Sequence, residues 1–466
     1  MNSQNNPSSG QLPAYITSAT PNPPDKRAPW YKTTAQTYAG IFLWFVFWDS
    51  MSGNGLSTGG LGATLLGVIL GGIICHYLFY LVPGLLGMKT GLPLYVIGTS
   101  TFGAVGGLLM PGFLMGALQF GWLGVNTFGS SDALSKGFHA PGLYIPLCII
   151  WAVAAAFVGL KGIQYVAKVA TYLPIIPLVV LLVGLFLFGG SAGDYKPIAV
   201  PTAAAGSNGG LQAILMMVGA IVGFFATAGA AGVDICTSNR NKDDVNKGGI
   251  VGIIIAIVFT AGISVIAVAG ARAAGVIDPS VTNMTAALEK KLPTGVFAAV
   301  MIGLTLASFP GACFSSFIAA NSFKTTMPKV NPFVSVGIGT IVSIILAVTG
   351  AASSLPNVFG LIGASFGPIV GAMVVDYLLS GGTWSGPRGG FNPAGWIAWL
   401  VGFIVGILPN QLLPASMQVQ IPCAPVSAFV VGAVVYFVCA KMGMLSPLIP
   451  MPARGAEPAK PMTAAA

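Results

Sequence analysis

The stretch "FWDSMSGNG", Phe47 to Gly55, sets Asp49 beside Ser50, Ser52 and Asn54 inside a long apolar run. A charge at the centre of a lipid-crossing helix costs roughly 3 kcal/mol on insertion scales. Such a residue usually faces a cavity, a partner or a substrate. A carboxylate held in a desolvated cavity can also bind and release a proton near neutral pH. A second polar set lies in "GALQFGWLGVNTFG", Gly116 to Gly129. Gln119 and Trp122 are three apart there, so on a helix they fall on the same side. An amide offers donors and an acceptor. An indole offers a broad stacking face. Asn126, one turn beyond Trp122, is a looser candidate that can also bridge helices.

The elements that must position these side chains are membrane helices. The chain has 466 residues, 55% hydrophobic and only 7% charged, with mean hydropathy +0.85. Soluble domains carry about 25% charged residues. The apolar runs mostly reach the length of a lipid-crossing helix, which separates them from barrel strands. The 64 glycines suit helices that pack closely in lipid. Spans are expected near 37–61, 63–87, 104–130, 142–160, 165–190, 209–236, 248–271, 293–319, 332–352, 356–380, 393–410 and 424–442. With the N-terminus inside, Lys136, Lys196, Arg272, Lys290 and Lys291 fall outside and the other fifteen of the twenty basic residues fall inside. That asymmetry obeys the positive-inside rule. It accounts for the net charge of +9 without invoking nucleic acid.

The first 36 residues are polar and Pro-rich, with no apolar stretch early enough for a cleavable signal. Disordered cytoplasmic tails are expected over 1–36 and 447–466. The six cysteines are scattered, and with two histidines they offer no familiar metal-ligand spacing. They read as small core residues, so no metal or cofactor is expected.

Two Gly-dense segments stand out. "SMSGNG" lies in the first span and "ATAGAAG", Ala226 to Gly232, in the sixth. They correspond if residues 37–190 and 209–380 are two five-helix halves, with 393–442 holding two peripheral helices. Interrupted helices at matching positions point to the binding site of a secondary transporter. The open backbone is tolerated where it lines a cavity.

With these residues in hand, the chain resembles the nucleobase–cation symporter-1 family, cytosine permease-like branch. "GMKTGLPLYVIGTSTFGAVGG" (Gly87 to Gly107) is similar to that family's segment leading into span three. "GALQFGWLGVNTFG" carries its Q-x-G-W pattern. "GFFATAGAAGVD" (Gly223 to Asp234) and "GPIVGAMVVDYLL" (Gly367 to Leu379) resemble the broken span six and the end of span ten. The resemblance covers about residues 37–440. It implies an all-α integral membrane protein of twelve transmembrane helices. Ten form a 5+5 inverted-repeat core with discontinuous helices 1 and 6, and two are peripheral.

It also implies function: import of a nucleobase, cytosine or a purine, across the inner (cytoplasmic) membrane in symport with a cation, by alternating access. Both termini would be cytoplasmic and a monomer in the bilayer is expected. Gln119 would read the edge of the base, and Trp122 and Phe225 would sandwich its ring. Thr227, Ser50, Asn54 and Cys313 would supply further contacts. The family's sodium-binding hydroxyl pair in span eight becomes Ala307 and Ser308, so one hydroxyl is missing. This departure shifts the expectation to H+ coupling through Asp49, with Na+ near Ser308 as the alternative. Transport of another small heterocycle, such as allantoin, a hydantoin or a thiamine precursor, is the competing reading. A channel would need charged rings or filter loops, and an enzyme a catalytic set near one membrane face. Neither is found in the sequence.

Overall fold

A computed structural model describes residues 12–161, 164, 170, 172–197 and 209–451. The described residues are helical, apart from loops and two isolated bridges, Ala28 with Asn239 and Arg388 with Leu448. The helices that matter are α1 (Thr34–Leu43), α2 (Phe45–Met51), α3 (Leu56–Thr90), α4 (Leu108–Gly137), α5 (Pro141–Lys161) and α6 (Ile175–Asp194). They continue with α7 (Gly209–Ala230), α8 (Gly232–Cys236), α9 (Lys242–Ala273), α10 (Met284–Lys291) and α11 (Thr294–Thr326). The last are α12 (Pro332–Val348), α13 (Leu355–Leu379), α14 (Pro393–Ile407) and α15 (Ala424–Lys441). Among the described residues, nine helices are long and apolar enough to cross a membrane. The shorter apolar helices α12 and α14, and the pair α1 and α2, lie where the remaining spans are expected.

The helices pack in two groups. α3 lies along α7 and α9, and α4 lies along α5, α11 and α12. α13 joins α7 to the outlying pair α14 and α15. Small residues set the closest approach. On α13, Gly363, Gly367 and Gly371 repeat every four residues and face Pro425 and Phe429 of α15. A β-carbon at Gly371 would lie 2.3 Å from the Phe429 carbonyl oxygen, closer than atoms pack. This is the small-residue stripe expected of helices that meet in lipid.

The first helix breaks elsewhere than the glycines indicate. Trp44 carries the break, with φ −58° and ψ 122° between α1 and α2. The Ser52–Gly55 stretch is instead the turn into α3, closed by Gly55 at φ +82°. A left-handed backbone there favours glycine. Trp44 stands in an aromatic and β-branched run, "FLWFVFW", whose helix propensity is modest but without an obvious breaker. Tertiary hydrogen bonds hold the break, and a sequence does not display them.

The sixth-span segment also differs from expectation. α7 stays helical through Ala230, and the interruption is one residue, Ala231, whose φ −63° and ψ −10° remain in the helical region. Alanine is the strongest helix former and outweighs the glycines of "ATAGAAG". The interruption expected over Ala226 to Gly232 is thus reduced to this one residue.

The polar N-terminal segment is packed from residue 12 on, where a disordered tail was expected. Ile16 is fully buried, and the Tyr15 hydroxyl donates to the Ala104 carbonyl. Arg27 donates to the Met88 carbonyl at 2.7 Å and the Ala28 amide to Ser238 at 2.8 Å. Residues 447–449 likewise pair with 387–389. The outer parts of both expected tails, 1–11 and 452–466, lie outside the described residues, as do 165–169 and 171 at the start of the expected fifth span.

A test of the α13–α15 contact follows. Gly371→Val should lower the thermal unfolding midpoint in detergent, since overpacking a tight contact costs roughly 1–3 kcal/mol. An unchanged midpoint would contradict this packing.

Candidate functional site

Four aromatic rings from four elements meet at the break in the first helix. Trp122 of α4 meets Phe224 of α7 edge-on, with centroids 5.0 Å apart. Phe359 of α13 lies 5.9 Å from Trp122 and 5.4 Å from Phe224. Trp44 closes the group, 6.2 Å from Trp122 and 6.3 Å from Phe224. The Trp122 Nε1–H donates to Thr227 Oγ1 at 3.1 Å, tying α4 to α7. Phe224 fills the space beside the Trp122 ring.

The ring packed against Trp122 is Phe224, where Phe225 was expected to face it. Phe225 is fully buried on the other side of α7, stacked on Phe42 at 5.8 Å and beside Tyr38 at 5.7 Å. Neighbouring residues on a helix are about 100° apart, so only one of the two can face Trp122. Gln119 is buried on α4 one turn before Trp122, where the sequence placed it. Its amide N–H reaches Met115 Sδ at 3.6 Å, a weak acceptor. The rest of its hydrogen-bonding capacity is unused among the described residues.

Asn126 is a bridge. Its Nδ2 donates to the Ser308 carbonyl at 3.1 Å, and its Oδ1 accepts from Trp151 Nε1 at 3.0 Å and Ser130 Oγ at 3.3 Å. Cys313 does not reach the aromatic group. It lies with Leu123, Ala155 and Ala312 in the seam between α11, α4 and α5, because α11 turns that face toward α5.

Asp49, Ser50 and Asn54 line a separate cavity of about 430 Å³. Its other walls include Asn283, Thr285 and Glu289, and it reaches exposed residues at Lys136 and Glu289. Phe359 lines it too, so that ring is shared between this vestibule and the aromatic group. Asp49 is buried and accepts three hydrogen bonds: from the Thr285 amide at 2.9 Å, Thr285 Oγ1 at 2.6 Å and Asn283 Nδ2 at 3.3 Å. It thus caps the N-terminus of α10 from another element, where negative charge and an acceptor are both favourable. Ser50 Oγ donates to the Phe47 carbonyl and Asn54 Nδ2 to the Ser50 carbonyl, so both serve the end of α2.

A third space, only about 20 Å³, adjoins the break. Gly40, Leu43, Trp44, Ala307 and Ser308 are among its walls. The Trp44 amide turns to the Ile41 carbonyl, which removes the helical partner of the Gly40 carbonyl. Ser308 Oγ accepts from Trp44 Nε1 at 3.1 Å and donates to the Leu304 carbonyl at 2.9 Å. The donor set is one hydroxyl with backbone carbonyls, suited to a hard cation. Among the described residues no cluster of His, Cys, Asp and Glu could hold a metal.

No family model matches the chain. It is 25% identical over 390 residues to the cytosine permease of Escherichia coli K12, covering 81% of this chain and 82% of the permease. Its fold is similar to Mhp1, a nucleobase–cation-symport-1 family transporter, in a closed conformation with bromovinylhydantoin bound (TM-score 0.61, 17% identity, 95% of this chain and 97% of the other). The inward-facing conformation of Mhp1 gives a TM-score of 0.62 at 16% identity, with the same coverage. The resemblance to the nucleobase–cation symporters holds in sequence and in fold. A substrate-bound, outward-open Na+-coupled sialic acid symporter shares the fold more distantly (TM-score 0.56, 14% identity, 94% and 93% covered). The chain is a multi-pass membrane protein whose relatives are transporters, not enzymes.

Trp44, Phe224 and Phe359 are functional candidates that the sequence reading missed. The aromatic run at 42–48 was the available signal for Trp44. For Phe224, the choice between adjacent phenylalanines needs the phase of α7.

The cap at Asp49 makes a measurable prediction. Asp49→Ala should speed amide hydrogen exchange over residues 283–291, because losing an N-cap acceptor costs about 0.5–2 kcal/mol. Unchanged exchange there would remove the cap from the account.

Proposed function

We propose that the chain is a secondary transporter that carries a nucleobase across the cytoplasmic membrane together with a cation, by alternating access. Its twelve spans would place both termini in the cytoplasm and the Asp49 vestibule outside. The observation that carries this reading is the ring group at the helix break, on the fold and sequence of the symporters. A base is flat with a polar edge. Trp122 and Phe224 offer faces for it, each base–aromatic stack contributing roughly 1–3 kcal/mol. Gln119 and Thr227 lie on the same two helices and offer mixed donors and acceptors for its edge. For a base to enter, Phe224 must give way, because its ring now occupies the slot beside Trp122. The vestibule leads to Phe359, which closes the slot on that side.

The structure supports two readings of the coupling ion unequally. Asp49 spends its oxygens on three donors that cap α10, and protonation would break at least one of those bonds. Among the described residues, the small space beside Ser308 has no titratable group in its lining. Those residues offer no proton site, whereas they offer a sodium ion the Ser308 hydroxyl and the Gly40 carbonyl freed by the break. Na+ is therefore the reading favoured here, and H+ through Asp49 the second. The missing hydroxyl at Ala307 makes for a weak site.

Reconstituted protein tests both. Cytosine uptake into liposomes should rise with an inward sodium gradient at equal pH on both sides. Ser308→Ala should raise the sodium concentration for half-maximal uptake about ten-fold, the loss of ~1.4 kcal/mol of ion binding. Uptake that follows a pH gradient, ignores sodium and is abolished by Asp49→Asn would select the proton reading. Ion current without saturable uptake would reject the carrier.

A further inference from the structure

We propose that Trp44 is the positioning residue through which cation occupancy and base binding are coupled; the inference rests on the transport reading above. One indole touches both places. Its Nε1–H donates to Ser308 Oγ at 3.1 Å, and the residue lines the small space at the break. Its ring packs on Trp122 at 6.2 Å and on Phe224 at 6.3 Å. No other side chain among the described residues is both a wall of that space and a member of the aromatic group.

The hydrogen-bond inventory makes the link directional. A hydroxyl has one proton and two lone pairs. Ser308 gives its proton to the Leu304 carbonyl and one lone pair to Trp44. The second lone pair remains for a cation, so the Trp44 bond holds the hydroxyl in the orientation that a cation needs. With alanine at 307, this is the space's one side-chain hydroxyl among the described residues, and its orientation weighs heavily on ion affinity. At the other end, a base that displaces Phe224 must be accommodated against the Trp44 ring. The backbone of Trp44 is non-helical, so its indole moves with the break rather than with either half-helix. Seating a base thus fixes the indole, the indole fixes the hydroxyl, and the hydroxyl binds the ion. By linkage the ion must favour the base by the same factor.

The experiment measures that factor. Purified full-length protein is titrated by calorimetry with cytosine, adenine and 5-benzylhydantoin, and the tightest binder is carried forward. Its Kd is then compared at zero and saturating sodium, with choline holding the ionic strength. The wild type should show a ratio of roughly five-fold or more, within the usual range of couplings between sites. Trp44→Phe keeps a ring but loses the N–H. Trp44→His keeps an N–H donor on a ring too small to span both contacts. The two variants cut the link at opposite ends, so either one that folds suffices. Each should bring the ratio to about one, whatever it does to the absolute affinity. Variants that weaken base binding equally with and without sodium, leaving the wild-type ratio, would overturn the coupling role and leave Trp44 as packing. A wild-type ratio of about one would also overturn it, with the transport reading intact. Absence of binding by every probe would overturn the transport reading itself.

Discussion

A helix that stops inside an apolar bundle exposes backbone groups that must find partners; here one indole N–H serves such a group and a second ties the break to α11. Trp48 Nε1 donates to the Leu43 carbonyl at 3.1 Å. Trp44 Nε1 donates to Ser308 at 3.1 Å. An unpaired polar group at this depth would cost several kcal/mol, so these bonds decide that the break is stable and where it lies. Everything functional is arranged around it. The small space beside Ser308 adjoins it, lined by Gly40, whose carbonyl has lost its helical partner, and by Trp44. The aromatic group exists because Trp44 turns away from the helix axis toward α4 and α7.

The arrangement also separates roles that a shared polar patch would mix. Asp49 lies five residues past the break, where its charge is spent on the N-terminus of α10. That carboxylate belongs to the joint between α2 and the outer helix, so movement of α10 and of the second half of the broken helix are mechanically tied. The ring group is apolar, with Gln119 and Thr227 as the polar side chains on its two helices. The break also stands where the two helix groups meet, since Trp44 touches α4, α7 and α11. A contact that bridges the groups is well placed to sense their relative motion.

Much of the fold was legible in the sequence, because hydropathy and length report burial in lipid directly. The described helices fall near the expected places, and Gln119, buried, and Trp122, partly buried, both lie on α4 one turn apart. What failed has physical causes. The glycines of 52–55 signalled irregular backbone correctly, but irregular backbone serves a turn as readily as a mid-helix break. The break itself rests on contacts between residues 44 and 308, far apart in the chain. The alanines of 226–231 kept α7 helical. Phe224 and Phe225 are indistinguishable until the phase of α7 is known. Cys313 sits on α11, whose length leaves most faces turned toward other helices. The packed N-terminal segment is held by polar contacts to loops, which composition reads as disorder.

The most direct measurement is a structure of the protein with cytosine bound. The account predicts the base between Trp122 and the ring of a displaced Phe224, with Gln119 or Thr227 at its edge and Phe225 still stacked on Phe42. A base found in the Asp49 vestibule, with Trp122 and Phe224 still in contact, would contradict it.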